Sequence, residues 1–284
     1  MGQSITITLE TFEGFEIEHC KRQEPCSMDL YHYHGSFEIY YLLSGTRNYF
    51  IKDRVYRIEK GDVVLINRQD LHKTTYGGSS FHERILINFD EAFIGGMLPV
   101  VKDIDLWQPF RQGIHVLKLN KSDRVMMEQA LFRIMKEARE RSAGAETCVR
   151  LLLLELLVFI ARRAVMPESG LVEQHNPMYE KISCIVKHIN SNYKDRLTLQ
   201  SLAGTFYISP GYLSRLFKNV TGFTFVEYLN SVRIKEAQRL LKDTKYNMGE
   251  IAERTGYEST THFGRVFREI TGVAPLRYRK LNKE

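Results

Sequence analysis

Residues Arg215 to Gly222 read RLFKNVTG, and fifty residues later Arg265 to Gly272 read RVFREITG. Both copies run arginine, apolar, phenylalanine, basic, any residue, apolar, threonine, glycine. Carried outward at the same offset, Ser209 meets Ser259, Leu213 meets Phe263 and Tyr228 meets Tyr278. A shorter segment stands before each copy, Thr198-Leu-Gln-Ser-Leu-Ala and Asn247-Met-Gly-Glu-Ile-Ala, each opening on a helix-capping residue. The repeating unit is therefore a short helix, a tight turn and a longer helix, expected at about 198–220 and 247–270.

The longer helices have two faces. Leu213, Leu216, Phe217 and Val220 fall at i, i+3, i+4 and i+7, as do Phe263, Val266, Phe267 and Ile270, so each set makes a buried stripe. The opposite faces carry Gly211, Tyr212, Ser214, Arg215 and Lys218 in the first unit. In the second they carry Thr260, Thr261, His262, Gly264, Arg265 and Arg268. Small residues near a helix start permit close approach to a major groove, arginine can pair with a guanine edge, and the next basic residue meets phosphate. A helical bundle with a solvated basic face would account for one such unit. It does not account for the same buried stripe and the same exposed arginine twice.

Between the units, Thr224-Phe-Val-Glu227 forms a capping-box pattern that opens a helix reaching about Lys242. That is a rod of roughly 27 Å, against a groove repeat of about 34 Å on one DNA face. Charge agrees with a polyanionic partner: residues 179–284 hold 18 Lys and Arg against 10 Asp and Glu, while the remainder is slightly acidic.

With these residues in place, the segment LTLQSLAGTFYISPGYLSRLFKNVTGFTFVEYLNSVRIKEAQRLLKDTKYNMGEIAERTGYESTTHFGRVFREITGVAPLRYR resembles the DNA-binding domain of the AraC/XylS family of bacterial transcription regulators. The resemblance implies two helix-turn-helix units whose third and sixth helices enter adjacent major grooves. It places Gly211, Ser214 and Arg215, then Thr260, Thr261, Gly264 and Arg265, against the bases. The second unit keeps the family's closing turn in Gly272-Val-Ala-Pro275, whereas the first has Gly222-Phe-Thr-Phe225 without the proline.

Residues 1–118 read differently. Ile5-Thr-Ile-Thr-Leu alternates, Val63-Val-Leu-Ile and Ile85-Leu-Ile are short apolar runs, and glycines and polar turns separate them, as in a barrel or sandwich of short strands. In YHYHGSFEIYYLLSG, His32, His34 and Glu38 share one parity, and GDVVLINRQDLH ends on His72. The pattern resembles the cupin barrel, a common sensing domain at the front of AraC-type regulators. Four readings of these residues stay open. His32, His34, Glu38, Tyr40 and His72 could line a pocket for a small polar effector such as a sugar. His32, His34, Glu38 and His72 could hold a divalent transition metal without catalysis, or with a retained cupin enzyme activity. They could also be satisfied barrel residues.

The middle of the chain is helical. SDRVMMEQALFRIMKEARER carries a stripe of Val125, Met126, Ala130, Leu131, Ile134 and Met135 behind a Ser122 cap. A second helix follows Gly144, with Leu151, Leu154, Leu157 and Val158 on one side and Leu152, Leu153, Leu156 and Phe159 on the other. Either both sides are buried against the barrel and the neighbouring helix, or one forms a homodimer seam, as the family resemblance implies. The expected architecture is two-domain α+β: a cupin-like barrel over 1–118, a helical pair over 119–166, a linker over 167–177, and an all-α double helix-turn-helix domain over 178–284. No signal peptide or membrane span is expected, and Cys20, Cys26, Cys148 and Cys184 read as reduced structural thiols, so the cytoplasm is the expected compartment. No catalytic residue and no organic cofactor is expected. Expected partners are double-stranded DNA, the effector, a second copy of the chain and RNA polymerase, and the family leans towards activation.

Overall fold

Short strands, some alternating and some buried on both faces, build the front of the molecule. The computed structural model describes residues 5–23, 35–68, 70–165 and 177–281, and the chain divides into two units, 1–175 and 176–284. In the first, the strands are β1 (Ile5–Phe12), β2 (Phe15–Arg22), β3 (Phe37–Ser44), β4 (Thr46–Ile51), β5 (Arg54–Glu59), β6 (Asp62–Ile66), β7 (His72–Tyr76), β8 (His82–Phe89) and β9 (Val116–Lys118). They form a six-stranded sheet in the order β1-β2-β8-β3-β6-β9 and a three-stranded sheet in the order β5-β4-β7, with antiparallel pairing.

The central strands of the larger sheet serve two cores. Phe37, Ile39 and Tyr41 of β3, with Ile85, Ile87 and Phe89 of β8, face the helices. Tyr40 and Leu42 of β3 and Val64 and Ile66 of β6 face the smaller sheet, where they pack with Tyr49, Ile51 and Ile58. The helices on the outer side are α1 (Glu91–Gly95), α2 (Gln108–Arg111), α3 (Lys121–Glu140) and α4 (Ala145–Ala164).

The helical pair is not a domain apart. Met127, Leu131 and Ile134 of α3 and Leu153, Leu156 and Leu157 of α4 share one core with the sheet. Tyr41 donates to Glu128 Oε1 at 2.8 Å, and Arg163 reaches Asp123 at 2.8 Å, pinning the end of α4 to the start of α3. Three expectations for these helices need correcting. The cap of α3 is Asn120, whose side chain accepts from the Asp123 N–H, and not Ser122. The buried stripe runs through Met127, Leu131, Ile134 and Ala138, while Val125 and Met126 are exposed, because the sheet lies about one residue further round the helix. On α4, Leu157 belongs to the buried face with Leu153 and Leu156, and Phe159 is only half-buried.

The second unit is helical: α5 (Pro177–Asn192), α6 (Leu199–Thr205), α7 (Pro210–Thr221), α8 (Phe225–Asp243), α9 (Met248–Arg254), α10 (Thr260–Thr271) and α11 (Pro275–Leu281). The start of α5 at Pro177 lies inside the expected linker; residues 166–176 lie outside the described residues. Among the described residues, no helix is long and apolar enough to cross a membrane.

Candidate nucleic-acid interface and barrel interior

The doubled sequence folds as a doubled structure. Ser209 caps α7 and Ser259 caps α10, each side chain accepting the N–H three residues on. At the far ends, Thr221 donates to the Phe217 carbonyl at 2.7 Å and Thr271 to the Phe267 carbonyl at 2.8 Å. Gly222 and Gly272 then take φ of 77° and 76°, the left-handed stop that glycine tolerates best. Phe217 meets Tyr228 edge-on at 5.7 Å, and Phe267 meets Tyr278 edge-on at 5.4 Å. The repeated Phe and Thr-Gly positions thus have structural jobs. The repeated arginine has none among the described residues.

Gly211, Tyr212, Ser214, Arg215 and Lys218 lie exposed on α7, and Thr260, Thr261, His262, Arg265 and Arg268 lie exposed on α10. Gly264 is half-exposed beside them. The side chains of Arg215, Lys218, Arg265 and Arg268 make no hydrogen bond or ion pair among the described residues. Four cations kept on two equivalent faces, unpaired, suit an external polyanion.

The spacing between the faces is held by α8. Its 19 residues make a rod of about 28 Å. Capping boxes close the N-termini of α6, α8 and α9, including Thr224 with Glu227 and Asn247 with Glu250. Arg233 on the rod donates to the carbonyl of Tyr193 at 2.8 Å and to that of Asp195 at 3.0 Å. Gly256, in the turn between α9 and α10, has φ +81°, and a Cβ there would stand 2.8 Å from the Tyr193 and Lys194 carbonyls. The second unit is therefore seated on the loop that precedes the first.

In the front unit, the expected pocket residues separate. His32 and His34, and the neighbouring Tyr31 and Tyr33, lie outside the described residues. Glu38 and His72 do meet inside the barrel: His72 Nε2 is 3.4 Å from Glu38 Oε2, and Tyr49 donates to Glu38 Oε1 at 2.6 Å. Burial opposes charge on His72, yet the Glu38 carboxylate and the Asp70 carbonyl hold its pKa above the ordinary value. Burial, then Glu38, pushes the Tyr49 hydroxyl well up. Among the described residues, no group of three or more His, Cys, Asp and Glu is placed to hold a metal ion. Glu38 and His72 are two of the four expected donors, and each already serves the other.

Arg47, His82 and Arg84 are among the interior residues that carry no sequence expectation. On β8, HERILINF alternates like a strand with one wet face, and closing the barrel turns its polar face inward. Arg84 donates through Nη2 to Glu18 at 2.6 Å, and its guanidinium lies 5.7 Å from the Tyr40 ring centre. Burial, reinforced by Arg47, Arg84 and Arg22, pushes the His82 pKa down to about 4.

Comparison with known proteins fits both halves. The model of an AraC-like ligand binding domain matches residues 26–135, and that of a helix-turn-helix domain matches residues 202–281. The HTH-type transcriptional regulator YisR of Bacillus subtilis is 24% identical over 86% of this chain and 86% of its own length. The HTH-type transcriptional activator RhaR of Mannheimia succiniciproducens is 23% identical over 87% of this chain and 86% of its own. The chain belongs to the AraC family. It is a DNA-binding transcription regulator with a ligand-binding front domain. The bifunctional transcriptional activator/DNA repair enzyme AdaA of Bacillus subtilis is similar only in part, 36% identical over 38% of this chain and 51% of its own length.

Two expectations follow for this AraC-family regulator. A Cβ at Gly211 or Gly264 would meet nothing within 4 Å, so the fold has no steric use for either glycine. Alanine at each should stabilise its helix by up to about 1 kcal/mol. If the glycines exist for close approach to DNA, the same variants bind operator more weakly while melting higher, which thermal denaturation and fluorescence anisotropy together resolve.

The second concerns pH. His82 is protonated near 6.5 when unfolded but only near 4 in the fold. Between those values the unfolded state holds more protons, so stability present above pH 6.5 is lost as pH falls through 4. His72, raised, works in the opposite sense. Urea titrations from pH 7 to 4 should therefore show wild type losing on the order of 2–3 kcal/mol more than His82→Gln. Parallel curves would contradict it.

Proposed function

We propose that this regulator is an effector-responsive activator. A small polar ligand, of the sugar type or similar in its hydrogen-bonding groups, enters the front barrel and shifts the balance between arrangements that do and do not set both reading helices on adjacent half-sites. The observation that carries the DNA-reading part is the pair of equivalent faces on α7 and α10 with their unpaired Arg215, Lys218, Arg265 and Arg268. Arg215 and Arg265 take base edges, and Lys218 and Arg268 take phosphates. Activation is supported by relatives named as activators, and RNA polymerase is the partner that activation requires. The regulator works in the cytoplasm, and its interior carboxylate and histidines hold an organic effector without a metal cofactor or a catalytic step.

A homodimer completes the reading. A groove of about 510 Å³ runs between α3 and α4, lined by Met126, Ala130, Leu151, Leu154, Val158 and Phe159. Met126 and Leu151 are each 53% exposed there, which is costly for an isolated chain and suits a helical seam.

Salt titration tests the DNA reading. Contacts to about four phosphates predict roughly a hundredfold loss of affinity for duplex DNA between 50 and 200 mM salt. Affinity indifferent to salt would overturn it.

A further inference from the structure

The register of the larger sheet sorts the barrel interior by charge. The inward-facing positions of β2, β8 and β3 line up in rungs. The first rung is Glu16, Asn88 and Glu38; the second is Glu18, Leu86 and Tyr40; the third is Cys20, Arg84 and Leu42; the last pairs Arg22 with His82. The smaller sheet follows the same gradient. Tyr49 and His72 lie on Glu38, whereas Arg47, two residues before Tyr49 on the same face, stands at the arginine end. One end of the interior is acidic, and the other gathers Arg22, Arg47 and Arg84 around His82.

The arginine end also holds polar atoms that the fold leaves unused. Tyr40 is 2% exposed and its hydroxyl has no hydrogen-bond partner among the described residues. The same is true of Arg84 Nη1 and His82 Nδ1, both sealed from solvent. Arg84 spends only its Nη2 edge, on Glu18. Buried groups of this kind are ordinarily satisfied, because leaving one unmade costs stability in the unliganded protein. The three atoms lie on successive rungs, running from the Glu18–Tyr40 rung through Arg84 to the Arg22–His82 end, and two of them are donors that an oxyanion would complement.

We infer that the effector is a small acid, whose carboxylate or phosphate is held by Tyr40 Oη and Arg84 Nη1 at the arginine end of the barrel, with its hydroxyl groups directed to the Glu38–Tyr49–His72 end. This rests on the reading of the barrel as the effector site and adds the chemical class to it. The neutrality of His82 at pH 7 fits, since a neutral ring leaves the positive charge to the arginines and can itself hydrogen-bond the anion. A neutral sugar would satisfy the Glu38 end but offer Arg84 Nη1 only a neutral hydroxyl acceptor, a weaker partner than an oxyanion.

The test uses the intact chain and matched probes: galacturonate against galactose, gluconate against sorbitol, and galactose 6-phosphate as the phosphate arm. Melting temperature and titration calorimetry are read at pH 7.5, with each probe up to 20 mM, a concentration of about the millimolar order expected for a weak, non-cognate ligand. The expected result is a rise in melting temperature with at least one acid and none with its neutral partner. Which arm responds assigns carboxylate or phosphate. Tyr40→Phe should weaken that acid about tenfold or more while melting no lower than wild type, since it removes a hydroxyl the empty fold does not use. Arg84→Gln should weaken it further. Galactose or sorbitol binding as well as the acids, with the Tyr40→Phe effect retained, would overturn the acid group yet leave the barrel as effector site. No response to any acid would overturn the inference, and no response to the neutral probes either would count against the effector reading itself.

Discussion

Replacing Arg215 and Arg265 together by alanine is expected to abolish specific operator binding at concentrations where the wild type is saturated. Each arginine sits exposed on its helix with no partner among the described residues, so its loss should leave the fold undisturbed. Each should cost about 1–3 kcal/mol of specific binding, or roughly 5- to 150-fold. The two helices belong to separate units joined by the 19-residue α8, so the losses should add. The double variant then falls by about 2–6 kcal/mol, while its melting temperature and its weak, salt-dependent affinity for random DNA stay near wild type. Lys218→Ala and Arg268→Ala should instead lower both specific and random binding and reduce the salt slope by about one each. Anisotropy titrations on cognate and scrambled duplexes separate the two classes.

Phe267→Ala is the largest stability effect expected in the second unit. Phe267 is fully buried, 5.7 Å from Phe263 and 5.4 Å from Tyr278, in the core that joins α10 to the rod and to α9. Truncating such a ring leaves a cavity and costs about 3–5 kcal/mol. Against a domain stability of about 5–15 kcal/mol, that places a large share of the molecules near unfolding at growth temperature. Phe217→Ala should act alike in the first unit, where the ring packs on Tyr228. The outcome to look for in urea titration is a strongly lowered midpoint with DNA binding lost in parallel. That pattern is opposite to the arginine variants, which lose binding and keep the fold.

The second unit was legible because its sequence repeats. A position that recurs at the same offset with the same chemistry is under the same constraint twice. Ser209 and Ser259 prove to be caps, Thr-Gly a helix stop, and Phe217 and Phe267 the ring contact to the aligned tyrosines. The capping boxes at Thr224 and Asn247 could likewise be read from local pattern alone. The turn from Ala252 to Ser259 is a residue longer than that from Ala203 to Ser209, and the structure shows how it is accommodated. The longer turn uses Gly256 where the shorter uses Tyr207 at φ 53°, and a Cβ on Gly256 would stand 2.8 Å from backbone carbonyls.

The front unit was harder to read for a physical reason. Periodicity shows that a strand has two faces but not which one closes inward, so the alternation in β2 and β8 did not mark their polar face as interior. Arg84 and His82 became interior residues only through the pairing of β8 between β2 and β3. The α3–α4 pair misled in the same way. Both helices are apolar on more than one side, and only the sheet behind them decides that Met127 and Leu157 point in while Met126 and Leu151 do not.

The most direct measurement is selection of binding sites from random duplex DNA by the intact chain, repeated with Arg215→Ala and with Arg265→Ala. The account predicts two enriched blocks about one helical turn apart, with Arg215→Ala erasing one and Arg265→Ala erasing the other. A single block lost with either variant, or enrichment untouched by both, would contradict a regulator that reads DNA with two heads.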